Sequence, residues 1–319
     1  MKRSTVLVTG GAGFIGSHLV DALVRNGNRV RVLDNLSSGT LRNLEQVRAK
    51  IDFIRGDLRD PRVLKKAVTG IAVVFHQAAL RSVPKSVGRP LEYHEVNATG
   101  TLSLLLASKQ AGVRRVVYAS SSSVYGDDVP TPQVESALPT PQSPYAASKM
   151  SAEVYAVMFS RLHALETVGL RYFNVFGPRQ SLESLYAALV PQFITDLFRN
   201  RRPPIYGTGK QTRDFTHVAN VVQANLRAAK AARVGGQVFN IGNGKEHSVL
   251  KTTRILIELT GASVKPKFLP PRPGDVMHTR ADISKARKLL GYRPLVSFEE
   301  GLQDAVAWFA ANRWAWKGR

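Results

Sequence analysis

The sequence predicts an α/β protein, a doubly wound parallel sheet joined to a second, smaller α/β domain. Three observations predict it. Short apolar runs rich in valine and isoleucine alternate with stretches of helical period, and strands alternating with helices make a parallel sheet. The first run, residues 4–9 (STVLVT), leads through Gly10-Gly11-Ala12-Gly13-Phe14-Ile15-Gly16 directly into a helical pattern. The 319 residues are 44% hydrophobic and 21% charged, the composition of a globular chain long enough for one or two domains.

After the glycine turn, Ile15, Leu19 and Leu23 repeat at helical spacing as far as Gly27, and residues 29–33 form a second strand ending at Asp34. Strand, glycine turn, helix, strand and acidic residue come in the order that binds a dinucleotide. Gly10, Gly13 and Gly16 permit the tight turn, the approach of backbone to a pyrophosphate and close helix–strand packing. The helix N-terminus then faces the phosphates. Asp34 can accept from a ribose 2′-hydroxyl and would repel a 2′-phosphate, so NAD is favoured over NADP. The first part is thus expected to be a Rossmann domain.

The alternation continues. Residues 51–55 form a strand into Gly56-Asp57-Leu58, where the acid could meet an adenine; Pro61–Val68 is a helix; residues 71–75 are a strand ending in His76-Gln77-Ala78-Ala79. A long helix over residues 90–111 carries Asn97, and residues 114–118 make the next strand, which runs into Ser120–Ser123. Gly10, Asp34, Ala78 and these serines all stand at strand carboxyl ends and should line one crevice. Residues 167–172 are a further strand, and the Gly177-Pro178 break after it marks the main boundary. Beyond it we expect helices over 185–199, 218–232, 251–260, 282–290 and 298–312, and strands at 205–209 and 238–241. The expected division is a NAD-binding domain over 1–173, with 217–242 returning to it, and a substrate-binding domain over 174–319, mainly 174–216 and 243–319.

Tyr145 and Lys149 are four residues apart on the helix opened by SPYAASK and share one face. A free tyrosine, with a pKa near ~10, is a poor base at neutral pH, and a nearby ammonium favours the phenolate. With a serine hydroxyl from the preceding strand end, this pair can move a proton on and off an alcohol.

The chain lacks cysteine, which excludes disulfides, thiolate metal sites and a cysteine nucleophile; no metal is expected. No apolar run is long enough to span a bilayer and the N-terminus lacks signal-peptide character, so a cytoplasmic location is expected. Lysine and arginine number 45 against 23 acids, a net charge of +22. The excess is dispersed and accompanies no nucleic-acid motif. It reads as a solvated surface that favours phosphate-bearing ligands, with no nucleic-acid or membrane partner expected.

GGAGFIGSHL, LDNLSSG, GDLRD, HQAALRSV, ASSSSVYGD, SPYAASK, RYFNVFGPRQ, QTRDFTHV, FNIGNG, RPGDV and DISKARKLLGY together resemble the extended short-chain dehydrogenases/reductases. Within these the chain is most similar to the NAD-dependent UDP-sugar 4-epimerases, and closest to the UDP-N-acetylglucosamine 4-epimerases. The resemblance implies Tyr145 as base at the sugar 4-hydroxyl, helped by Ser121, with Lys149 binding the nicotinamide ribose and lowering the Tyr145 pKa. It implies a cofactor set of Phe14, Ile15, Asn35, Gly39, Leu58, Gln77, Ala79, Arg81, Asn97 and Phe173 beside the residues above. It implies Asn174, Arg213, Arg272 and Asp275 as substrate contacts, and a homodimer built on the helices over 99–111 and 146–161. For Arg213 the alternative is an ion pair with Asp214, and for Asn174 a turn.

Two positions discriminate within the family. The resembling 4,6-dehydratases place Asp-Glu where Ser122 and Ser123 stand, and UDP-glucuronate decarboxylases place Glu where Ser123 stands. A serine cannot do that carboxylate's acid–base work at neutral pH, so epimerisation is favoured. Thr279 is small where glucose-restricted epimerases carry a bulky aromatic, which implies room for an N-acetyl group on sugar carbon 2. Arg81 departs from the small residue of that subgroup. It could face NAD or a substrate carboxylate, which keeps UDP-glucuronate epimerisation open beside a UDP-glucose/galactose-only enzyme. The non-enzyme alternative is a NAD-binding protein with a basic interaction surface.

Overall fold

Seven parallel strands carry the fold in the computed structural model, which describes residues 4–182, 189–271 and 276–316. Among the described residues the chain forms, in order, the strands β1 (Thr5–Thr9), β2 (Arg29–Asp34), β3 (Ile51–Arg55), β4 (Val73–His76), β5 (Arg115–Ser121), β6 (Glu166–Tyr172), β7 (Val175–Phe176), β8 (Pro204–Tyr206), β9 (Thr212–Arg213), β10 (Thr216–His217), β11 (Gln237–Ile241), β12 (His247–Ser248) and β13 (Lys267–Leu269), of which seven make the large sheet. The helices are α1 (Phe14–Arg25), α2 (Pro61–Val68), α3 (Val83–Gly88), α4 (Pro90–His94), α5 (Gly100–Gln110), α6 (Pro144–Leu162), α7 (Leu189–Phe198), α8 (Val218–Ala228), α9 (Val249–Thr260), α10 (Ser284–Leu290) and α11 (Phe298–Ala311). The large sheet runs β11-β6-β5-β4-β1-β2-β3, all parallel. Strand order reverses at β1, which pairs with β2 (Thr9↔Leu33) on one side and β4 (Thr9↔His76) on the other. A crevice therefore opens above the carboxyl end of β1.

Strand alternation sorts the apolar side chains into two layers. Val6, Val8, Val30, Val32, Val117, Val168 and Leu170 meet α1 and α8, whereas Leu7, Leu33, Ile54, Val116 and Tyr118 meet α2, α5 and α6. Each aliphatic side chain so buried contributes about 1.5–3 kcal/mol of transfer free energy. A third core joins Phe176, Phe215 and residues of α7, α9 and α11. Short two-stranded pieces, β7 with β10, β8 with β13 and β9 with β12, carry the chain around it.

Local chemistry explains the helix starts. Asp60 accepts from the amides of Arg62 and Val63 with Pro61 in the first turn of α2, and Ser143 accepts from Ala146 with Pro144 opening α6. Ser297 and Glu300 form a capping box on α11. The helix expected over 90–111 is interrupted: Glu95–Thr99 forms a π-helical turn between α4 and α5. A ten-residue 3-10 helix, Leu41–Lys50, was not expected, because this polar stretch buries only Leu44 and Val47. The helix expected over 185–199 is described from Leu189 onward. Among the described residues no helix is long and apolar enough to cross a membrane.

Candidate functional site

Gly10 leaves β1 at φ +67°, a conformation that suits glycine, and a Cβ there would stand 2.6 Å from the amide nitrogen of Ala78. At Gly16 a Cβ would lie 2.1 Å from the carbonyl oxygen of Gly10, so only glycine lets α1 pack against the turn. Gly13 caps α1 with no side chain, leaving the first amides of the helix bare. Above them is a cavity of about 330 Å³, lined by Gly10, Gly13, Phe14, Ile15, Gly16, Asp34, Asn35, Gly39, Asp57, Leu58, Gln77, Ala78, Ala79 and Arg81, among others. The glycine cradle, the uncapped helix end and an acid at the end of β2 fit a dinucleotide.

Asp34 is held by two amides, Ala12 N–H to Oδ2 at 2.9 Å and Leu36 N–H to Oδ1 at 2.8 Å. Burial nonetheless raises its pKa above the ordinary carboxylate value. Asp57 is ion-paired to Arg59 at 2.9 Å and accepts from Asn35 at 3.0 Å. The Arg59 hydrogen bonds hold its carboxyl well below the usual range. Gln77 is tied through its amide to Tyr172 and Asn225. Two expected cofactor residues stand elsewhere. Phe173 is fully buried with its ring against Tyr125, a core side chain with no surface left for a ligand. Asn97, on the π-helical turn, is 1% exposed; its amide bonds both backbone groups of Leu80 and the hydroxyl of Ser148. It fastens the crevice wall to the helix of Tyr145 instead of facing the crevice.

The proton-moving group adjoins the Arg81 end of the cavity. β5 delivers Ser121, whose Oγ accepts from the Ser123 hydroxyl at 2.8 Å and the Ser123 amide at 3.2 Å; Ser122 opens the 3-10 turn that follows. Tyr145 stands in the first turn of α6, its ring edge-on to Tyr93 at 6.4 Å. Burial raises the Tyr145 pKa, and a hydrogen bond with Ser121 and the charge of Arg81 pull against that rise. Arg81, a cation the sequence did not connect with the phenol, favours the phenolate as well. Lys149 is buried and pulled down to about 8 by burial, with Glu153 opposing. Glu153, which sequence reasoning missed, is 4% exposed and accepts from the Ser120 hydroxyl at 2.7 Å and from Arg171. Its position four residues past Lys149 was a signal in plain view.

On the opposite side, Asn174 adopts φ +31° and its amide donates to Thr279 Oγ1 at 3.1 Å and to the Asp214 carbonyl at 3.3 Å. Thr279 is half-buried in this contact. The Arg213 guanidinium lies on the Thr212 carbonyl at 2.8 Å and the Met277 carbonyl at 3.4 Å. The Asp214 carboxylate is fully buried and accepts from the amides of Asn243, Gly244 and Ala281. Arg272 and Asp275 lie outside the described residues.

A glycine cradle at a switch point, an acid at the end of β2 and a tyrosine–lysine–serine group beside them define a dinucleotide-binding protein of the Rossmann class. Its residues 6–242 match the NAD dependent epimerase/dehydratase family, and the chain belongs to that family. It is 41% identical over 312 residues to a UDP-glucose 4-epimerase of Mycolicibacterium smegmatis, covering 95% of this chain and 97% of that one. It is similar to the solved UDP-N-acetylglucosamine 4-epimerase of Methanobrevibacter ruminantium in complex with UDP-N-acetylmuramic acid, with 41% identity, a TM-score of 0.93, and 98% and 100% of the two chains covered. It is also similar to the UDP-glucose 4-epimerase of Thermotoga maritima with UDP-glucose, with 39% identity, a TM-score of 0.92, and 97% and 99% covered.

Proposed function

We infer that this protein is a NAD-dependent UDP-sugar 4-epimerase that interconverts UDP-N-acetylhexosamines as well as UDP-hexoses through a 4-keto sugar. The observation that carries the reading is the approach of Ser121, at the end of β5, to Tyr145, in the first turn of α6, with Ser122 and Ser123 following and no carboxylate among them. NAD, when bound, supplies the oxidant that takes the hydrogen of sugar carbon 4 and returns it to the other face. Tyr145 takes the proton of the 4-hydroxyl and gives it back, Ser121 orients that hydroxyl, and Lys149 binds the nicotinamide ribose. Arg213 and Asn174 contact the substrate, together with Arg272 and Asp275. The relatives named as UDP-glucose and UDP-N-acetylglucosamine 4-epimerases support the activity, and both lie at similar identity, so they do not choose the sugar. The short Thr279 side chain, hydrogen-bonded to Asn174, supports room for an acetamido group.

A hexuronate is the second reading, because the exposed Arg81 lines the crevice and its charge reaches Tyr145. The test is a panel of UDP-N-acetylglucosamine, UDP-glucose and UDP-glucuronate, with epimers resolved chromatographically. Wild type is expected to yield UDP-N-acetylgalactosamine. Thr279→Tyr should lower turnover of the acetylated sugar selectively, and Tyr145→Phe should lower all turnover by roughly 10³-fold. Equal loss on acetylated and plain sugars in Thr279→Tyr would remove the gate from the proposal. We further infer a homodimer assembled on α5 and α6.

A further inference from the structure

All three tryptophans of the chain, Trp308, Trp314 and Trp316, stand within its last 12 residues. Trp316 is an anchor: its ring stacks on Phe198 at 5.5 Å, its Nε1 donates to the Phe309 carbonyl at 2.8 Å, and its own carbonyl accepts from Arg199. This pins the turn Arg313–Ala315 to the third core. Trp314 is thereby held out from that core, 45% exposed, with its Nε1 donating to Asn312 at 3.1 Å and its ring edge-on to Trp308 at 5.9 Å. The face of the indole carries the guanidinium of Arg42, 4.5 Å from the ring centre.

Arg42 belongs to the 3-10 helix that follows Asp34 and Gly39, so the contact joins the first core to the third across the crevice. Trp308, Trp314 and Ala315 line the dinucleotide cavity beside Ser37, Ser38 and Gly39. That is the adenosine end, since the acid closing β2 marks the ribose. A second cavity of about 450 Å³ adjoins it, sharing Asn43, Arg179, Trp308 and Trp314 with the first. Trp314 borders both cavities and Arg42 borders the second, so the pair stands between the cofactor crevice and the adjoining cavity. A guanidinium over an indole is a favourable and polar-faced closure, one that can part and re-form in water.

We propose that the Arg42–Trp314 contact closes the adenosine end of the crevice and slows the dissociation of NAD. The two side chains act on retention of the cofactor and have no part in the proton transfer. The inference depends on NAD binding and on no particular sugar.

The test loads the full-length protein with NAD, removes free cofactor, and follows release by ultrafiltration with enzymatic assay of NAD in the filtrate. Trp314→Ala and Arg42→Met should each release NAD roughly tenfold faster than wild type. The double variant should be no faster than the faster single, since both remove one contact. Trp314→Phe, which keeps an aromatic face, should stay close to wild type. Wild-type release from either Trp314→Ala or Arg42→Met overturns the proposal, as does a Trp314→Phe variant that releases NAD as fast as Trp314→Ala. No sugar nucleotide is present in the assay, so its outcome is independent of the epimerase reading.

Discussion

Tyr145 is subject to opposed influences, and their balance sets when it can act as a base. Burial favours the neutral phenol and raises its pKa, while the Ser121 hydrogen bond and the Arg81 charge favour the phenolate. A reaction that needs the phenolate speeds up as pH rises through that pKa. Arg81→Met should therefore move the rising limb of kcat/KM to higher pH, giving a several-fold loss at pH 7 that disappears in alkali, with Arg81→Lys restoring the wild-type profile. A loss of the same factor at every pH would mean that the Arg81 charge does not act on Tyr145. The tyrosine, lysine and serine of this group were legible because a spacing of four on a helix is a local fact. The roles of Arg81 and Glu153 were not. Glu153 takes its meaning from Ser120 and Arg171 on neighbouring strands, and these contacts form only when the sheet does. Lys149 was legible as a residue, but the burial that pulls it down to about 8 was not, since that is a tertiary property.

At the scale of elements, the glycine turn and the strand–helix alternation were legible because the central strands β1 and β4 are buried on both faces and read as continuous apolar runs. The π-helical turn Glu95–Thr99 was not, because one extra residue in a turn leaves the apolar period on either side of it intact. That turn is what puts Asn97 against Leu80 and Ser148, and hence outside the crevice where it was expected. Apolar residues on α5 and α6 fitted equally well against the sheet or against a second subunit. The structure divides them. Leu104, Leu105, Ala156 and Phe159 face the core, whereas Leu106, Val154 and Leu162 are exposed, Leu162 to 67%. Exposed aliphatics on two adjacent helices suit a helical interface between copies. Sedimentation equilibrium should find a wild-type dimer, and Val154→Glu should shift it to monomer with the fold retained by circular dichroism. A wild-type monomer at micromolar concentration would end the dimer proposal.

For the whole molecule, the sign of the pH dependence of stability follows from a few buried groups. His18 Nε2 donates to the Pro178 carbonyl, 2.9 Å away, and burial lowers its pKa to about 4. His76 lies between the Thr9 and Thr101 hydroxyls, and burial, then the Lys149 charge, lowers it to about 3. Both are neutral in the native state down to those values, while an unfolded histidine takes up its proton near ~6.5. Below that pH the unfolded chain binds protons that the native chain refuses, so stability falls as pH drops. Asp214 acts in the other direction: burial raises it to about 6, and between there and the ordinary carboxylate value the native state holds the extra proton. At pH 5 each histidine has cost about 2 kcal/mol relative to pH 7 and Asp214 has returned about 1 kcal/mol, so the histidines win by roughly 3 kcal/mol. The net charge of +22 adds self-repulsion of the same sign as further protons bind. Urea midpoints should therefore be lower at pH 5 than at pH 7, and His18→Gln, which keeps a donor for Pro178 and cannot titrate, should reduce that difference by more than half. Parallel pH dependence in the variant and the wild type would show that His18 is not one of the groups that carry it.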